Sequence, residues 1–203
     1  MKPDLRQRSV FLSASFPSGV RGEAFPASDP AAVTDAVTAI VRAILAANGR
    51  LVFGGHPTIS PLVLFVAAEQ ASRDRVDAYQ SQWFEGEIPE ETRRLEELGF
   101  GSIHWTPREP SLPQSLKVMR EAMLAETRPS GALFVGGMEG IIDEWDLFGQ
   151  IRPGHLRFPL GAPGGASVRL AQDAGAAGQL DVDLFSPHYP ALAWQLVEQL
   201  AGE

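Results

Sequence analysis

The stretch 131–148, GALFVGGMEGIIDEWDLF, constrains the fold more than any other part of the chain. Its apolar run Ala132-Leu133-Phe134-Val135 reads as a buried strand. Gly136 and Gly137 break that run, and a helical pattern follows whose first turns carry Glu139, Asp143 and Glu144. A strand that ends in paired glycines at the mouth of a helix offers backbone N–H groups and a positive helix end to an anion. This stretch is expected to form the floor of an anion-holding pocket.

The same alternation runs through the chain. Val10-Phe11-Leu12 reads as a first strand entering a Ser13-Ala14-Ser15-Phe16-Pro17 loop, and residues 18–28 as a Gly- and Pro-rich surface segment. Asp29-Pro30 supplies an N-cap and a first-turn proline to a helix with Val33, Val37, Ile40, Val41 and Ile44 on one face, stopped at Asn48-Gly49. Leu51-Val52-Phe53 predicts a second strand, broken by Gly54-Gly55-His56-Pro57-Thr58. The helix after Ser60-Pro61, residues 62–72, is apolar nearly all round its first two turns and is expected to be buried. Residues 76–79 read as a weaker strand, 80–89 as a loop with Trp83 and Phe84, and 90–98 as a short charged helix. Ile103-His104-Trp105 reads as a fourth strand and residues 115–126 as a helix. Beyond Phe148 the pattern gives a loop at 150–156, a strand at 157–160, a glycine turn at 161–165 and a helix near 166–173. A small-residue linker at 174–180 and a closing helix at 190–200 complete it. Strands alternating with helices predict a single α/β domain over residues 1–203, a Rossmann-like doubly wound and mostly parallel sheet with helices on both faces. Its ligand crevice is expected at the carboxyl ends of the strands.

Composition narrows the function. Hydrophobic residues make up 44% of the 203, enough for a substantial core. Seventeen basic against 25 acidic residues give a net charge of −8, which disfavours a uniform nucleic-acid or anionic-membrane binder while leaving room for local positive clusters. There are no cysteines, so thiolate catalysis, disulfides and Cys-based metal sites are excluded, and a cytoplasmic location fits. No apolar run approaches the length of a membrane span, and the first residues show no apolar core before a cleavage site.

The candidate ligand-binding residues gather at the glycine turns. Ser13, Ala14 and Ser15 follow the first strand, Gly54, Gly55, His56 and Thr58 the second, and Gly136, Gly137, Met138, Glu139 and Gly140 the opening stretch; Gly164 and Gly165 form a third turn. Backbone that approaches a phosphate or ribose closely favours residues without a Cβ, although one such turn alone equally fits a tight strand–helix connection. In a helix starting near Met138, Gly140 and Glu144 stand at i and i+4, so Glu144 leans over the patch left bare by Gly140 and into the crevice. Glu139 and Asp143 read as a solvated face complementing the helix dipole. His56, His104, His155 and His188 show no ligand spacing, so no metal is assigned. Ser13, Ser15 and Ser167 form no sequence-visible catalytic pattern, and Trp83 and Phe84 either cap a bound base or close the edge of a core, the second reading being favoured.

Ser115-Leu116-Lys117-Val118-Met119-Arg120-Glu121-Ala122-Met123, then Ala132–Val135 and GGMEGIIDE, resemble the SLOG superfamily. Its best-known enzymes are the Lonely Guy cytokinin-activating phosphoribohydrolases, with a PGGxGTxxE signature after a strand and an Arg-bearing helix upstream. The resemblance also covers residues 10–15 and 52–57. This chain departs from the signature. Val135 replaces its proline, Ile141 replaces its threonine, and GGMEG carries one extra residue between the glycines. A gap-free match from Ser115 puts Met119 in the position of the enzymes' arginine, with Arg120 one place on. A shift of one residue turns a side chain by about 100° on a helix. The variant looks closer to the ligand-sensing branch of the superfamily, found in prokaryotic conflict systems and in the cytosolic domain of TRPM channels.

The resemblance implies a nucleotide-type small molecule as ligand, no further cofactor, and a homodimer. Three functions are open at this point. The first is a nucleotide-derivative sensor or regulatory module in which Glu144 accepts hydrogen bonds from ribose. The second is a nucleotide N-glycosidase with Glu144 and Arg120 at the reacting centre. The third is a structural or partner-binding subunit.

Overall fold

The computed structural model describes residues 3–176 and 181–202. Its strands are β1 (Ser9–Ser15), β2 (Arg50–Gly54), β3 (Val76–Ser81), β4 (Gly101–Thr106), β5 (Gly131–Gly136) and β6 (Leu156–Leu160). The helices are α1 (Gly19–Gly22), α2 (Pro30–Ala46), α3 (Ser60–Glu69), α4 (Glu90–Glu97), α5 (Leu112–Thr127), α6 (Glu139–Ile151), α7 (Ser167–Ala176) and α8 (Tyr189–Gly202), with a 3-10 turn at Gln82–Phe84. The strands form one sheet in the order β4-β3-β2-β1-β5-β6, parallel at every pairing. This is the doubly wound Rossmann-like α/β fold the alternation predicts. From β1 the chain steps outward to β4, then returns to the other side of β1 for β5. The direction therefore reverses between β1 and β5.

Side chains alternate across a strand, so each central strand feeds two cores. Val10 and Leu12 of β1, with Leu133 and Val135 of β5, face the cluster built with α2, α3 and α8. Phe11, Ala132 and Phe134 face Met119 and Met123 of α5 and Phe148 of α6. Phe11 stacks on Phe148 at 6.3 Å between ring centroids and meets Phe134 edge-on at 6.1 Å. Strands covered on both faces read as continuous apolar runs, which is why the sequence shows them so plainly.

Element ends differ from the sequence reading for local reasons. β1 continues through Ser15 because Ser13, Ala14 and Ser15 pair with Phe134, Val135 and Gly136. α5 starts earlier because Ser111 caps it, its Oγ accepting from Gln114 N–H, with a proline in its first turn. α6 runs on to Ile151, and a short helix, α1, interrupts the expected surface segment. α7 occupies residues 174–176 of the expected linker, whose remaining residues 177–180 lie outside the described ones. The expectation that α3 is buried is corrected. Val63, Val66 and Ala67 are buried, but Phe65 is 61% exposed and Leu62 half-buried. An all-apolar pattern gives no indication of which face turns outward. Among the described residues no helix is long and apolar enough to cross a membrane.

Two glycine turns interlock beneath the opening stretch. Gly136 and Gly137 both take left-handed φ, at 68° and 72°, and Gly137 N–H donates to Ser15 O at 2.8 Å. Against them lies the turn before α7. Gly165 has φ 72°, and Ala166 N–H donates to Gly137 O at 2.9 Å. The buried Ser167 hydroxyl accepts from Gly136 N–H at 3.0 Å and donates to Leu160 O at 2.6 Å. A Cβ on Gly165 would fall 2.6 Å from the Gly136 carbonyl carbon. Gly165→Ala is therefore expected to lower unfolding stability in urea by at least about 1–2 kcal/mol, the cost of a left-handed alanine before the clash is added. An unchanged urea midpoint would show that this turn does not brace the floor.

Candidate functional site

A cavity of about 500 Å³ opens at the carboxyl ends of β1, β2 and β3, beside the point where strand direction reverses. Of the expected ligand residues, Ser13, Ala14 and Ser15 line it from β1, and Gly54, Gly55 and His56 from the second turn. Met138, Glu139, Gly140 and Glu144 line it from α6, and Arg120 from α5. Thr58, Gly136, Gly137, Gly164 and Gly165 stand outside the lining. The last four form the interlocked turns beneath it, and their missing Cβ atoms make room for protein. A Cβ on Gly136 would lie 2.6 Å from Ser15 O, and one on Gly137 2.1 Å from Ile141 Cδ1.

Three helices begin at this cavity without a side-chain cap. Ile59 at the start of α3, Pro89 at the start of α4 and Met138 at the start of α6 all line it, and in none does a side chain accept from the first-turn N–H groups. Elsewhere the same chain does cap its helices: Asp29 accepts from Ala31 N–H at the start of α2, and Ser111 caps α5. An uncapped helix start carries about half a positive charge, and free N–H donors except where backbone takes them, as at α3, whose Ser60, Leu62 and Val63 N–H groups donate to His56 O and Ile59 O. The floor predicted from residues 131–148 is thus one of three helix ends aimed at the same space.

Across that floor runs a chain of polar side chains. Ser13, almost fully buried, donates its hydroxyl to Glu144 Oε2. Arg120 Nε donates to Glu144 Oε1 at 2.9 Å, and its Nη1 reaches Asp143 Oδ2 at 3.3 Å. The Arg120 and Glu144 side chains are 17% and 16% exposed, whereas that of Asp143 is 65% exposed. Arg120 enters the site despite its displacement in the gap-free match, and Met119 lines the cavity beside it. The space above Gly140 is not bare. A Cβ there would fall 2.9 Å from Arg120 Nη2, so the guanidinium occupies the patch over which Glu144 was expected to lean. Asp143, read from sequence as merely solvated, is a second carboxylate on the same arginine.

His56 closes the second turn. Its Nδ1 accepts from Thr58 N–H at 3.3 Å and lies 2.9 Å from Thr58 Oγ1, which places the ring proton of the neutral form on Nε2. Burial holds its pKa below the ordinary 6.5. Phe84, Glu87, Gln80 and Pro89 also line the cavity; of these the sequence raised only Phe84, as the less favoured reading of a cap on a bound base. Phe84 had read as a core edge, and Trp83 instead lies under the Arg108 guanidinium at 4.3 Å.

A wider concavity of about 710 Å³ lies at the amino ends of the strands, lined by several arginines. These serve the fold. Arg8 donates to Leu200 O, Arg73 to Leu98 O at 3.1 Å and Arg75 to Leu45 O at 3.4 Å, at the carboxyl ends of α8, α4 and α2. Guanidinium groups there offset negative helix ends. Arg50 is held by Asp77 at 3.0 Å. The smaller cavity, whose helix ends are uncapped, is the candidate site.

The lowered His56 pKa has a definite sign. Between 6.5 and its lower folded value the unfolded chain binds more protons than the folded one, so the contribution is fully present above 6.5 and is lost as pH falls through the folded pKa. Urea midpoints measured downward from that pH are expected to fall less steeply for His56→Gln than for the wild type. Parallel pH profiles would contradict the burial assigned to this ring.

The family model described as the SLOG cluster3 family matches residues 24–192, most of the chain. No curated protein matches it.

Proposed function

The chain belongs to the SLOG superfamily, in its cluster3 family, and from that premise we propose that the crevice binds a nucleotide or nucleotide-derived ligand and that the protein is a cytoplasmic sensing or regulatory module, of the kind used in prokaryotic conflict systems. The uncapped start of α6, opening onto the cavity beside the fixed Glu144 carboxylate, carries this reading. The ionisable side chains around the cavity are Arg120 against Glu87, Glu139 and Glu144, with His56 neutral above its lowered pKa. Positive potential for a phosphate therefore comes from backbone at the helix ends. The carboxylates suit groups that donate, above all ribose hydroxyls. Glu144, with one oxygen on Arg120 and the other on Ser13, is a fixed acceptor for such hydroxyls. Where the family signature carries a threonine, Ile141 offers only hydrocarbon to the cavity, which favours binding over turnover.

The fixed Glu144 carboxylate also fits a second reading, nucleotide N-glycosidase. The bond between the base nitrogen and ribose C1′ would break with its electron pair leaving on the base. Water oxygen would bond to C1′, and one water proton would pass to the base. Glu144 would stabilise the positive charge developing on the sugar, and Arg120 would position Glu144.

Calorimetric titration with AMP, NAD and ADP-ribose, together with chromatography for free base, separates the two. Binding without base release is expected. Glu144→Ala should weaken binding about 10- to 100-fold, as loss of hydrogen bonds to a charged group does. Base release that vanishes in Glu144→Ala would replace the sensor by the enzyme, and no binding of any of the three would contradict both.

We extend the proposal to a homodimer. Phe65 and half-buried Leu62 share one face of α3 at i and i+3, an apolar surface that a second copy would cover. Light scattering is expected to give a dimer mass for the wild type and a monomer mass for Phe65→Glu. A monomeric wild type, or a dimer untouched by Phe65→Glu, would rule this face out.

A further inference from the structure

Gln80, near the end of β3, is 4% exposed and lines the crevice. Its Oε1 is enclosed and accepts no hydrogen bond. Among the described residues only Thr106 Oγ1 is buried in the same state, and Thr106 lies outside the crevice. The groups around the amide are committed elsewhere. Gly55 N–H donates to Tyr79 O at 2.9 Å, and Thr92 turns its hydroxyl to Ser60 Oγ at 2.6 Å. A Cβ at position 55 would fall 2.3 Å from Gln80 Oε1 and 3.3 Å from the Thr92 methyl. The second glycine turn is therefore shaped around this amide.

An enclosed acceptor without a partner costs about 1–3 kcal/mol, and a leucine of similar size would occupy the space without that cost. Groups kept at such a cost on a pocket wall belong to function more often than to folding. Position indicates which function. Neighbouring strands lie about 4.8 Å apart, so β3 stands roughly 10 Å from β1, where Ser13 holds Glu144. A ribose at Glu144 with its phosphate at the start of α6 would put its base at the β3 end. Phe84, in the turn after β3, also lines the crevice and brings an aromatic side chain to it.

We propose that Gln80 reads the base of the bound nucleotide, the end of its amide that faces the crevice making one hydrogen bond to a purine edge. The inference rests on the nucleotide reading of the crevice. One end of a carboxamide accepts and the other donates, so the open end can meet either the adenine amino group or its neighbouring ring nitrogen. Rotation of the amide by half a turn exchanges the two ends at little cost.

The test compares AMP, purine riboside 5′-monophosphate (which lacks the 6-amino group) and ribose 5-phosphate on the full chain and on Gln80→Leu. The wild type is expected to bind AMP about tenfold tighter than the purine analogue, the worth of one good hydrogen bond. Gln80→Leu should remove that difference while leaving affinity for ribose 5-phosphate unchanged. Without ligand it should melt at a higher temperature than the wild type, because it replaces an unpartnered buried polar group.

A Gln80→Leu protein that still prefers AMP over the analogue, or that melts lower, overturns the assignment of Gln80. Ribose 5-phosphate bound in a Glu144-dependent way, with AMP no tighter, overturns base reading alone. Failure of all three ligands to bind the wild type overturns the crevice reading as well.

Discussion

Parallel strands joined by helices leave the helices running the same way past the sheet, so their positive starts gather at one edge and their negative ends at the other. The rest of this structure depends on how the chain handles that polarity. At the amino edge of the sheet, Arg8, Arg73 and Arg75 donate to carbonyls at the ends of α8, α4 and α2. At the carboxyl edge the starts of α3, α4 and α6 are left open around one cavity. One edge is neutralised by arginines; at the other, Glu90 and Glu91 of α4 and Glu139 of α6 offset part of the positive ends, and no side chain caps the first-turn N–H groups.

The side chains at the open edge then divide the work. Backbone N–H groups can hold an anion in spite of the net charge of −8. The carboxylates, with Glu144 fixed by Arg120 and Ser13, are placed for hydroxyl donors. Among the described residues, Gln80, at the β3 end, is the lining side chain whose buried polar atom has no partner. A phosphate, a sugar and a base set out in that order match the sequence of surfaces from α6 to β3. Of the departures from the superfamily signature, Ile141 lines the cavity and brings hydrocarbon where the signature has a hydroxyl, whereas Val135 is buried in the core outside the lining.

What was legible in the sequence was local. Short apolar runs bounded by glycine identified the buried strands, and i, i+4, i+7 spacing gave α2 its inner face, because both signals are set by neighbours within a few residues. The location of the crevice followed from the strand–glycine–helix turns. Three things were not legible. A glycine does not reveal whether its missing Cβ makes room for a ligand or for protein. At Gly136, Gly137 and Gly165 the occupant is backbone or a core side chain, at Gly140 it is Arg120, and at Gly55 it is Gln80. The position of Arg120 depended on helix phase across an inserted residue, which only the packed helices fix. Phe65 and Gln80 gave no signal at all, one within an apolar run with no polar face and the other at the end of a weak strand.

The central claim is that the uncapped edge of the sheet holds a nucleotide in a set orientation. A crystal structure of the protein soaked with AMP tests it most directly. The account expects phosphate oxygens within hydrogen-bond reach of the N–H groups at the start of α6, ribose hydroxyls on Glu144, and the base beside Gln80 and Phe84. A nucleotide bound at the arginine-lined edge, or bound in the crevice with its phosphate against Glu144 and away from all three helix starts, would contradict it.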